Sequence, residues 1–375
     1  MKTPLFWMIW LVTAVLLTTC NARLYTPIPT AEEPPRAAVL AHLRYLRGEL
    51  EQGAGPEMQR LFPEGYFFTH VLYGLTWVDL ALQEPAHQPT ALAEARWALA
   101  KLDTPAGYAP FPAHLEPPYG MFYNAWRAYL LTGILLLHPE GEWNTAEIGR
   151  YRAECAALAQ AIADSPTPFL PSYTNQAWPV DTFPALVALR GHAQLLGDAQ
   201  YEPLIAEWLA AVQTHLDPAL GLVPHRTEAT TGAMLDGARA TSQTLMLRWW
   251  LELDPETAVA HYATFRQQFV TTRVGIPGVL EFPPTRNGRG DIDSGPLLAG
   301  VSLSATAVMW GTARVYGDEA LMVPLGQAGE ALGWPLGWGG ERWYGFGLLP
   351  WGMRSRCGHR WPRRGLRPCP LATMG

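Results

Sequence analysis

The chain has 375 residues, of which 49% are hydrophobic and 16% charged, and its formal net charge is -6. This length can bury a large core, as one helical domain or as two smaller ones. Nucleic-acid binding requires a basic stripe, so the negative balance argues against that class of partner and also against an acidic or polyanionic one.

Residues 1–20 predict a secretory signal, because a short basic start precedes an apolar run of signal length at 4–17. The run ends at Leu17-Thr18-Thr19-Cys20, which resembles a bacterial lipoprotein signal whose cysteine is lipidated, although that pattern has Gly, Ala or Ser where Thr19 stands. An uncleaved anchor is the alternative, but the run is shorter than the ~20 residues that span a bilayer. In both cases we expect an exported protein of the bacterial cell envelope, held at the membrane on its periplasmic or extracellular face. Residues 21–35 would be the tether.

The four cysteines predict neither a disulfide framework nor a metal site. Cys20 belongs to the signal, Cys155 stands alone in a helical pattern, and Cys357 and Cys369 lie in the C-terminal tail. None of these spacings is that of a metal site. We therefore predict no metal and no cofactor, and a core position for Cys155.

From Arg36 onward, apolar residues recur at three- and four-residue intervals, which predicts one helical domain over 36–352. Two kinds of helix alternate along it. The amphipathic helices, each with a charged face, are 37–51, 90–101, 145–163, 202–215, 256–269 and 319–332. The nearly uncharged helices, rich in aromatic and small residues, are 66–82, 120–137, 178–196, 238–250 and 297–316. A helix that is apolar all round must be buried, so we predict an all-α fold, an (α/α)6 toroid of helical hairpins with an inner and an outer ring.

The turns between these helices support the repeat. Leu196-Gly197-Asp198 and Tyr316-Gly317-Asp318 both end an inner helix with Gly and open the next helix with Asp. Asp254-Pro255 opens another helix in a related way. The only extended stretch that stands out is 279–282.

The C-terminal part departs from the repeat. The sixth inner helix is expected to begin near Tyr344, but from Met353 the chain has six arginines and no acidic residue. A shifted reading frame explains this composition better than a basic binding arm. We predict that the tail 353–375 is unstructured and that the last inner helix is lost or altered.

Several segments of the third to fifth hairpins follow a characteristic order. They are Tyr173-Thr174-Asn175-Gln176-Ala177-Trp178, Leu216-Asp217-Pro218 with Gly221, Ala238-Arg239-Ala240-Thr241-Ser242, Asp254-Pro255 and Tyr262-Ala263-Thr264-Phe265-Arg266. In order and spacing they resemble the linalool dehydratase/isomerase-type (α/α)6 toroid, and similar barrels occur in six-hairpin glycosidases. The resemblance spans roughly residues 119–318 and implies the fold more than the reaction. That dehydratase family uses cysteines near the start of the third inner helix, where this chain has Ala177, so linalool chemistry itself is not expected.

In such a toroid the inner helices point their N-termini at one end of a central funnel, so residues near their first turns should converge. The predicted ligand-binding positions are Tyr66, His70, Tyr119, Tyr123, Asn124, Tyr173, Gln176, Trp178, Arg239, Ser242 and Glu281, with Glu64 and Ser294 at the same level. A few polar groups among many aromatic rings are typical of a small-molecule site. We therefore predict a small-molecule or oligosaccharide substrate, such as a sugar.

Three aspartates are the predicted catalytic residues. Glycosyl transfer to water needs one protonated and one ionised carboxyl group, and Asp181 with Asp291 or Asp293 can supply them from different hairpins. Crowding of two aspartates raises the pKa of one of them, as a general acid requires. The alternative is that Asp293-Ser294-Gly295-Pro296 is a helix start in which these residues cap free N–H groups.

Other polar candidates also have a structural interpretation. Glu281 fits an ion-pair partner of Arg286 or Arg239, and His70 fits a core histidine. Arg239 opens an apolar helix and needs a carboxylate, from the protein or from a ligand.

Three functional hypotheses follow. The first is an exported, membrane-tethered enzyme that acts on a carbohydrate by acid/base chemistry, as a glycoside hydrolase or lyase. The second is a dehydratase or isomerase acting on a hydrophobic alcohol without the cysteines of that family. The third is a non-catalytic lipoprotein that binds a small molecule or glycan.

Overall fold

The computed structural model describes residues 3–28, 36–139 and 141–344. Within these ranges the helices are α1 (Thr3–Leu24), α2 (Arg36–Glu51), α3 (Ala54–Leu61), α4 (Gly65–Gln83), α5 (Gln88–Leu102), α6 (Pro105–Tyr108), α7 (Gly120–Leu136), α8 (Thr145–Asp164), α9 (Phe183–Leu196), α10 (Glu202–Gln213), α11 (Ala240–Leu253), α12 (Pro255–Phe269), α13 (Leu303–Tyr316) and α14 (Glu319–Leu332). Two 3-10 turns, Pro85–His87 and Pro179–Asp181, precede α5 and α9.

Short strands in the same ranges form three small sheets. The strands are β1 (Gln176–Ala177), β2 (Arg226–Glu228), β3 (Met234–Asp236), β4 (Val270–Arg273), β5 (Ile276–Leu280), β6 (Leu297–Leu298), β7 (Val301–Ser302), β8 (Pro335–Trp338) and β9 (Glu341–Tyr344). The strand orders are β1-β2-β3, β4-β5-β7-β6 and β8-β9, and all pairs are antiparallel. The predicted extended stretch at 279–282 corresponds to the end of β5, and the other strands lie in loops that the sequence did not mark as extended.

The two rings of helices are confirmed. Helices α4, α7, α9, α11 and α13 are buried on most sides, and each contacts the next in this order. Helices α5, α8, α10, α12 and α14 bury mainly one face, as amphipathic helices do. Successive helices of opposite kind pack as hairpins, for example α4 with α5 and α13 with α14. The described residues thus form an (α/α) toroid of helical hairpins.

Two inner helices begin later than predicted. Helix α9 begins at Phe183 because Pro179 forces Trp178 into an extended conformation, with φ -103° and ψ 107°, so a 3-10 turn comes first. Helix α13 begins at Leu303 because β6 and β7 form a tight hairpin through Ala299 and Gly300, whose φ angles are 50° and 83°. The Ser302 hydroxyl then accepts the backbone N–H of Ala305 at 3.1 Å and caps α13.

The core is continuous and aromatic. It is centred on rings such as Trp126, which packs edge to face on Trp249 with ring centroids 5.0 Å apart. The predicted core cysteine, Cys155, is fully buried between aliphatic and aromatic neighbours. Its place in the core is confirmed.

At the N-terminus, α1 contains a stretch, Pro4–Leu24, that is long and apolar enough to cross a membrane, and a signal sequence has the same properties. The helix continues past Cys20 and contacts α14. In the last turn of α1, the Arg23 guanidinium lies 4.8 Å from the ring centroid of Trp334. Export, cleavage and lipidation of Cys20 stay predictions, as do the domain boundaries.

At the C-terminal end of the described residues, the β8–β9 hairpin packs against α2, where the rings of Tyr344 and His42 stack at 5.1 Å. The predicted sixth inner helix after Tyr344 and the basic tail 353–375 lie outside the described residues.

Candidate active site

A cavity of about 410 Å³ opens at the end of the toroid where the inner helices begin. All five inner helices, or the residues directly before them, contribute to its wall. The wall consists of Phe62, Pro63, Glu64, Phe68, Phe122, Trp126, Tyr173, Trp178, Val180, Asp181, His225, Thr241, Ser242, Leu245, Ile292, Asp293, Ser304, Ala305 and Val308. The wall is therefore mainly apolar and aromatic, with three carboxyl groups and one imidazole set into it, as in small-molecule sites generally.

Asp181 is the most deeply buried of the three carboxyl groups, with 4% of its surface exposed. The 3-10 turn before α9 places it there, and the Ser172 hydroxyl donates a hydrogen bond of 2.5 Å to its Oδ2. Burial raises the pKa of Asp181 to about 8, and the charges of Glu64 and Asp293 act in the same direction, against the Ser172 hydrogen bond. At neutral pH this carboxyl group holds its proton.

Asp293 lies in the loop between β5 and β6, at the mouth of the cavity, so the residue as a whole is exposed. Desolvation of its carboxyl group by the surrounding protein, followed by the negative charge of Asp291, raises the pKa of Asp293 to about 6. Because this value is below neutrality, Asp293 is mostly ionised at pH 7.

Glu64 is the third carboxyl group and lies directly before α4. It is half-buried, and burial followed by the charge of Asp293 raises its pKa to about 7. Glu64, Asp181 and Asp293 line the same cavity, so each negative charge raises the pKa of its neighbours.

His225 and Ser242 form a hydrogen-bonded pair in the wall, with His225 Nδ1 2.5 Å from Ser242 Oγ. Burial, followed by the positive charge of Arg239, lowers the pKa of His225 to about 3. The imidazole is therefore neutral at physiological pH, and the pair can bind a substrate hydroxyl without adding charge.

Behind this wall, the buried Arg239 holds the loop that carries Asp293. Its Nε donates to Glu281 Oε1 at 2.8 Å, and its Nη1 lies 2.6 Å from Asp291 Oδ2 and 3.5 Å from Asp236 Oδ2. Glu281 is completely buried, whereas the Asp291 side chain is 41% exposed. Burial alone would raise the pKa of Asp291, but the hydrogen bonds from Arg239 and from the Ser294 backbone outweigh it and hold that pKa below its usual value.

The helix-start interpretation of Asp293-Ser294-Gly295-Pro296 is wrong, because α13 begins only at Leu303 and is capped by Ser302. The loop is instead held from both sides. The Asp291 carboxylate accepts the Ser294 N–H at 3.1 Å, and the Ser304 hydroxyl donates to the Asp293 carbonyl at 2.6 Å. None of the described residues donates a hydrogen bond to the Asp293 carboxyl group, so this group is available to a ligand in the cavity.

The structure brings five of the predicted catalytic and ligand-binding residues into the cavity wall, together with Glu64, which was expected at the same level; the five are Tyr173, Trp178, Asp181, Ser242 and Asp293. Three others, Arg239, Glu281 and Asp291, form the ion-pair network behind it. The remaining six do not line the cavity: Tyr66, His70, Tyr119, Tyr123, Asn124 and Gln176.

Local hydrogen bonds explain the positions of three of these six side chains. His70 Nδ1 donates to the Tyr66 carbonyl at 2.7 Å, and burial lowers its pKa to about 4, as for a neutral core histidine. The Asn124 amide donates to the carbonyls of Pro118 and Gly120, and the Gln176 side chain accepts from Arg226. These polar groups satisfy the backbone or a neighbouring strand and do not face the cavity.

Sequence reasoning missed two kinds of wall residue. Pairs four residues apart on one inner helix, such as Phe122 with Trp126 and Ser304 with Val308, share a face and could have been found from the helical period. His225 follows an irregular loop and had no such signal.

Comparisons with known proteins identify similarity at the level of solved structures. No protein-family model and no curated protein matches the chain. A matching solved structure is that of a GH76 alpha-mannanase from Bacteroides thetaiotaomicron, with 13% sequence identity and a TM-score of 0.46. The match covers 78% of this chain and 84% of the mannanase chain.

Proposed function

We propose that this protein is an exported, membrane-tethered enzyme that cleaves a glycosidic bond by acid/base chemistry, as a hydrolase or lyase. One observation carries the proposal: Asp181 and Asp293, from different hairpins, line one cavity with pKa values raised to about 8 and about 6. At neutral pH one carboxyl group is therefore protonated and the other ionised, which is the pair that glycosyl transfer requires.

The roles follow from the protonation states. Asp181 is the general acid that gives its proton to the leaving oxygen, and Asp293 is the base or nucleophile on the other side of the bond. The charge that develops on the sugar ring in the transition state is positive, and the ionised Asp293 stabilises it. The rings of Tyr173 and Trp178 pack edge to face with their centroids 5.2 Å apart, and they offer an apolar surface to the sugar ring.

The dehydratase/isomerase alternative expects an aromatic funnel without converging carboxyl groups. The cavity is aromatic but holds three carboxyl groups, which favours the glycosidic reaction. The third hypothesis, a non-catalytic lipoprotein, expects Asp291 and Asp293 to cap backbone N–H groups. Asp291 does accept the N–H of Ser294, whereas Asp293 lines the cavity.

The proposal is tested with a panel of chromogenic 4-nitrophenyl glycosides and polysaccharides, using the wild-type protein and the variants Asp181→Asn and Asp293→Asn. Asp164→Asn, on the exposed face of α8, is the matched control. On the polysaccharides, whose leaving oxygen needs a proton, we expect turnover by wild type and control that falls by at least about a thousandfold in both cavity variants. On the 4-nitrophenyl glycosides, whose leaving group needs no proton, the large loss should be confined to Asp293→Asn. Equal turnover by all four proteins would contradict the assignment of Asp181 and Asp293.

A further inference from the structure

The cavity wall carries negative charge and no positive charge. Its ionisable acids are Glu64, Asp181 and Asp293, and no Lys or Arg is among the described residues that line it. His225, the remaining basic group, is neutral at physiological pH because burial and Arg239 lower its pKa. Arg239 itself is engaged by Glu281 and Asp291 behind the wall.

Aromatic rings surround these carboxyl groups. Six of the lining residues are aromatic: Phe62, Phe68, Phe122, Trp126, Tyr173 and Trp178. The face of such a ring attracts cations, and rings combined with carboxylates form the usual binding site for ammonium groups. A neutral sugar would use the rings equally well, but it would leave the crowded carboxyl groups without a counter-charge.

The size of the space argues for an organic cation. A cavity of about 410 Å³ is far larger than a metal ion. In addition, the described residues contain no group of three or more His, Cys, Asp or Glu side chains that could hold a metal ion. The three carboxyl groups therefore surround a space that fits a ligand of sugar size.

We propose that the substrate carries a protonated amine, so that its class is a basic amino sugar. That the substrate contains a sugar ring rests on the proposed function. That it carries an amine rests on the negative charge of the cavity wall. It also favours hydrolysis over elimination, because a lyase that acts on a uronic acid must bind a carboxylate, and this wall has no cation to pair with it.

The test uses isothermal titration calorimetry on the full-length protein at pH 6.5, where the amine of an amino sugar is protonated. The probes are the methyl glycosides of glucosamine, galactosamine and mannosamine, each paired with its parent hexoside and its N-acetyl derivative. The parent hexoside and the N-acetyl derivative keep the sugar ring of the amino sugar but lack its positive charge. Each titration is run in two buffers with different ionisation enthalpies, so that protons released on binding are counted.

We expect at least one amino sugar to bind at least about tenfold more tightly than its uncharged partners. A bound cation favours the ionised form of Glu64, whose pKa is raised to about 7, so its binding at pH 6.5 should release protons, whereas an uncharged sugar should release few or none. Asp293→Asn should reduce both the preference and the proton release, and Asp164→Asn should change neither.

Tighter binding of the uncharged hexosides, proton release that is equal for both kinds of probe, or no saturable binding by any amino sugar would overturn this inference. Cleavage of neutral glycosides alone would then leave the proposed function standing. Conversely, charge-selective binding without turnover of any glycoside would contradict the proposed function and keep this inference.

Discussion

The guanidinium of Arg239 lies 2.6 Å from the carboxylate of Asp291 and joins helix α11 to the loop that carries Asp293. Asp291 points back at the ion-pair network, and Asp293, two residues later, is part of the cavity wall. A second ion pair, from Arg286 to Asp217 at 3.3 Å, holds the start of the same loop. The two aspartates therefore have different roles, because Asp291 positions the loop and Asp293 faces the ligand.

Asp291→Asn should lower kcat by about tenfold to a hundredfold, since a displacement of about 1 Å at a reacting group can cost a hundredfold. Because the charge of Asp291 raises the pKa of Asp293, the variant should also move the acid limb of the pH–rate profile to lower pH. The measurements are kcat, KM and the pH profile, compared with Asp293→Asn. If Asp291→Asn is as inactive as Asp293→Asn, Asp291 itself is a reacting group.

Ser172→Ala should move the basic limb of the profile to higher pH. The Ser172 hydroxyl donates to Asp181 and lowers its pKa, so removing the hydroxyl lets that pKa rise further above 8. The control is Ser165→Ala, whose hydroxyl bonds only to the backbone of Thr167. A basic limb that stays in place in Ser172→Ala would show that Asp181 does not set it.

Asp181→Asn should stabilise the protein at alkaline pH. The folded pKa of about 8 lies above the ordinary value of 3.8, so the proton on Asp181 stabilises the fold fully at low pH, and this stabilisation is lost as pH rises towards 8. Asparagine stays neutral throughout. The gain in unfolding free energy over wild type should therefore grow between pH 5 and pH 9, by on the order of 4 kcal/mol at most. Urea unfolding at both pH values measures it, and a gain that is independent of pH would refute the assigned pKa.

Glu281→Gln should destabilise the fold by about 3–5 kcal/mol, because it leaves the buried Arg239 without its most buried counter-charge. The carboxylate also accepts the Thr241 hydroxyl at 2.8 Å, close to the cavity. Glu57→Gln, at an exposed position of α3, is the control for the loss of one charge. A melting temperature of Glu281→Gln equal to that of the control would contradict the importance of this ion pair.

The fold was largely predictable because the composition of each helix indicates whether it is buried on all sides or has a solvent-exposed face. Phe67 and Trp126 lie in helices without a charged face, whereas Arg152 and Asp164 lie on the exposed face of α8. The starts of α9 and α13 were not predictable from periodicity, since Pro179 and the turn at Gly300 override it locally.

The site was predictable in part. Asp181 and Asp293 were predicted because they lie just before or within the first turns of the predicted inner helices, and both line the cavity. Which of Asp291 and Asp293 faces the cavity depends on the backbone of a loop with several glycines, which has no period from which direction can be deduced. His225 enters the wall through long-range packing, and its partner Ser242 is 17 positions away in sequence.

The central claim, that Asp181 gives a proton while Asp293 acts ionised, is tested most directly by the pH dependence of kcat/KM. Wild type should show a bell with limbs near pH 6 and pH 8, because activity needs Asp293 ionised and Asp181 protonated. Asp181→Asn should lose the basic limb and regain most of its rate on substrates with a highly acidic leaving group, which need no proton. A basic limb that persists in Asp181→Asn, with no such recovery, would contradict the account.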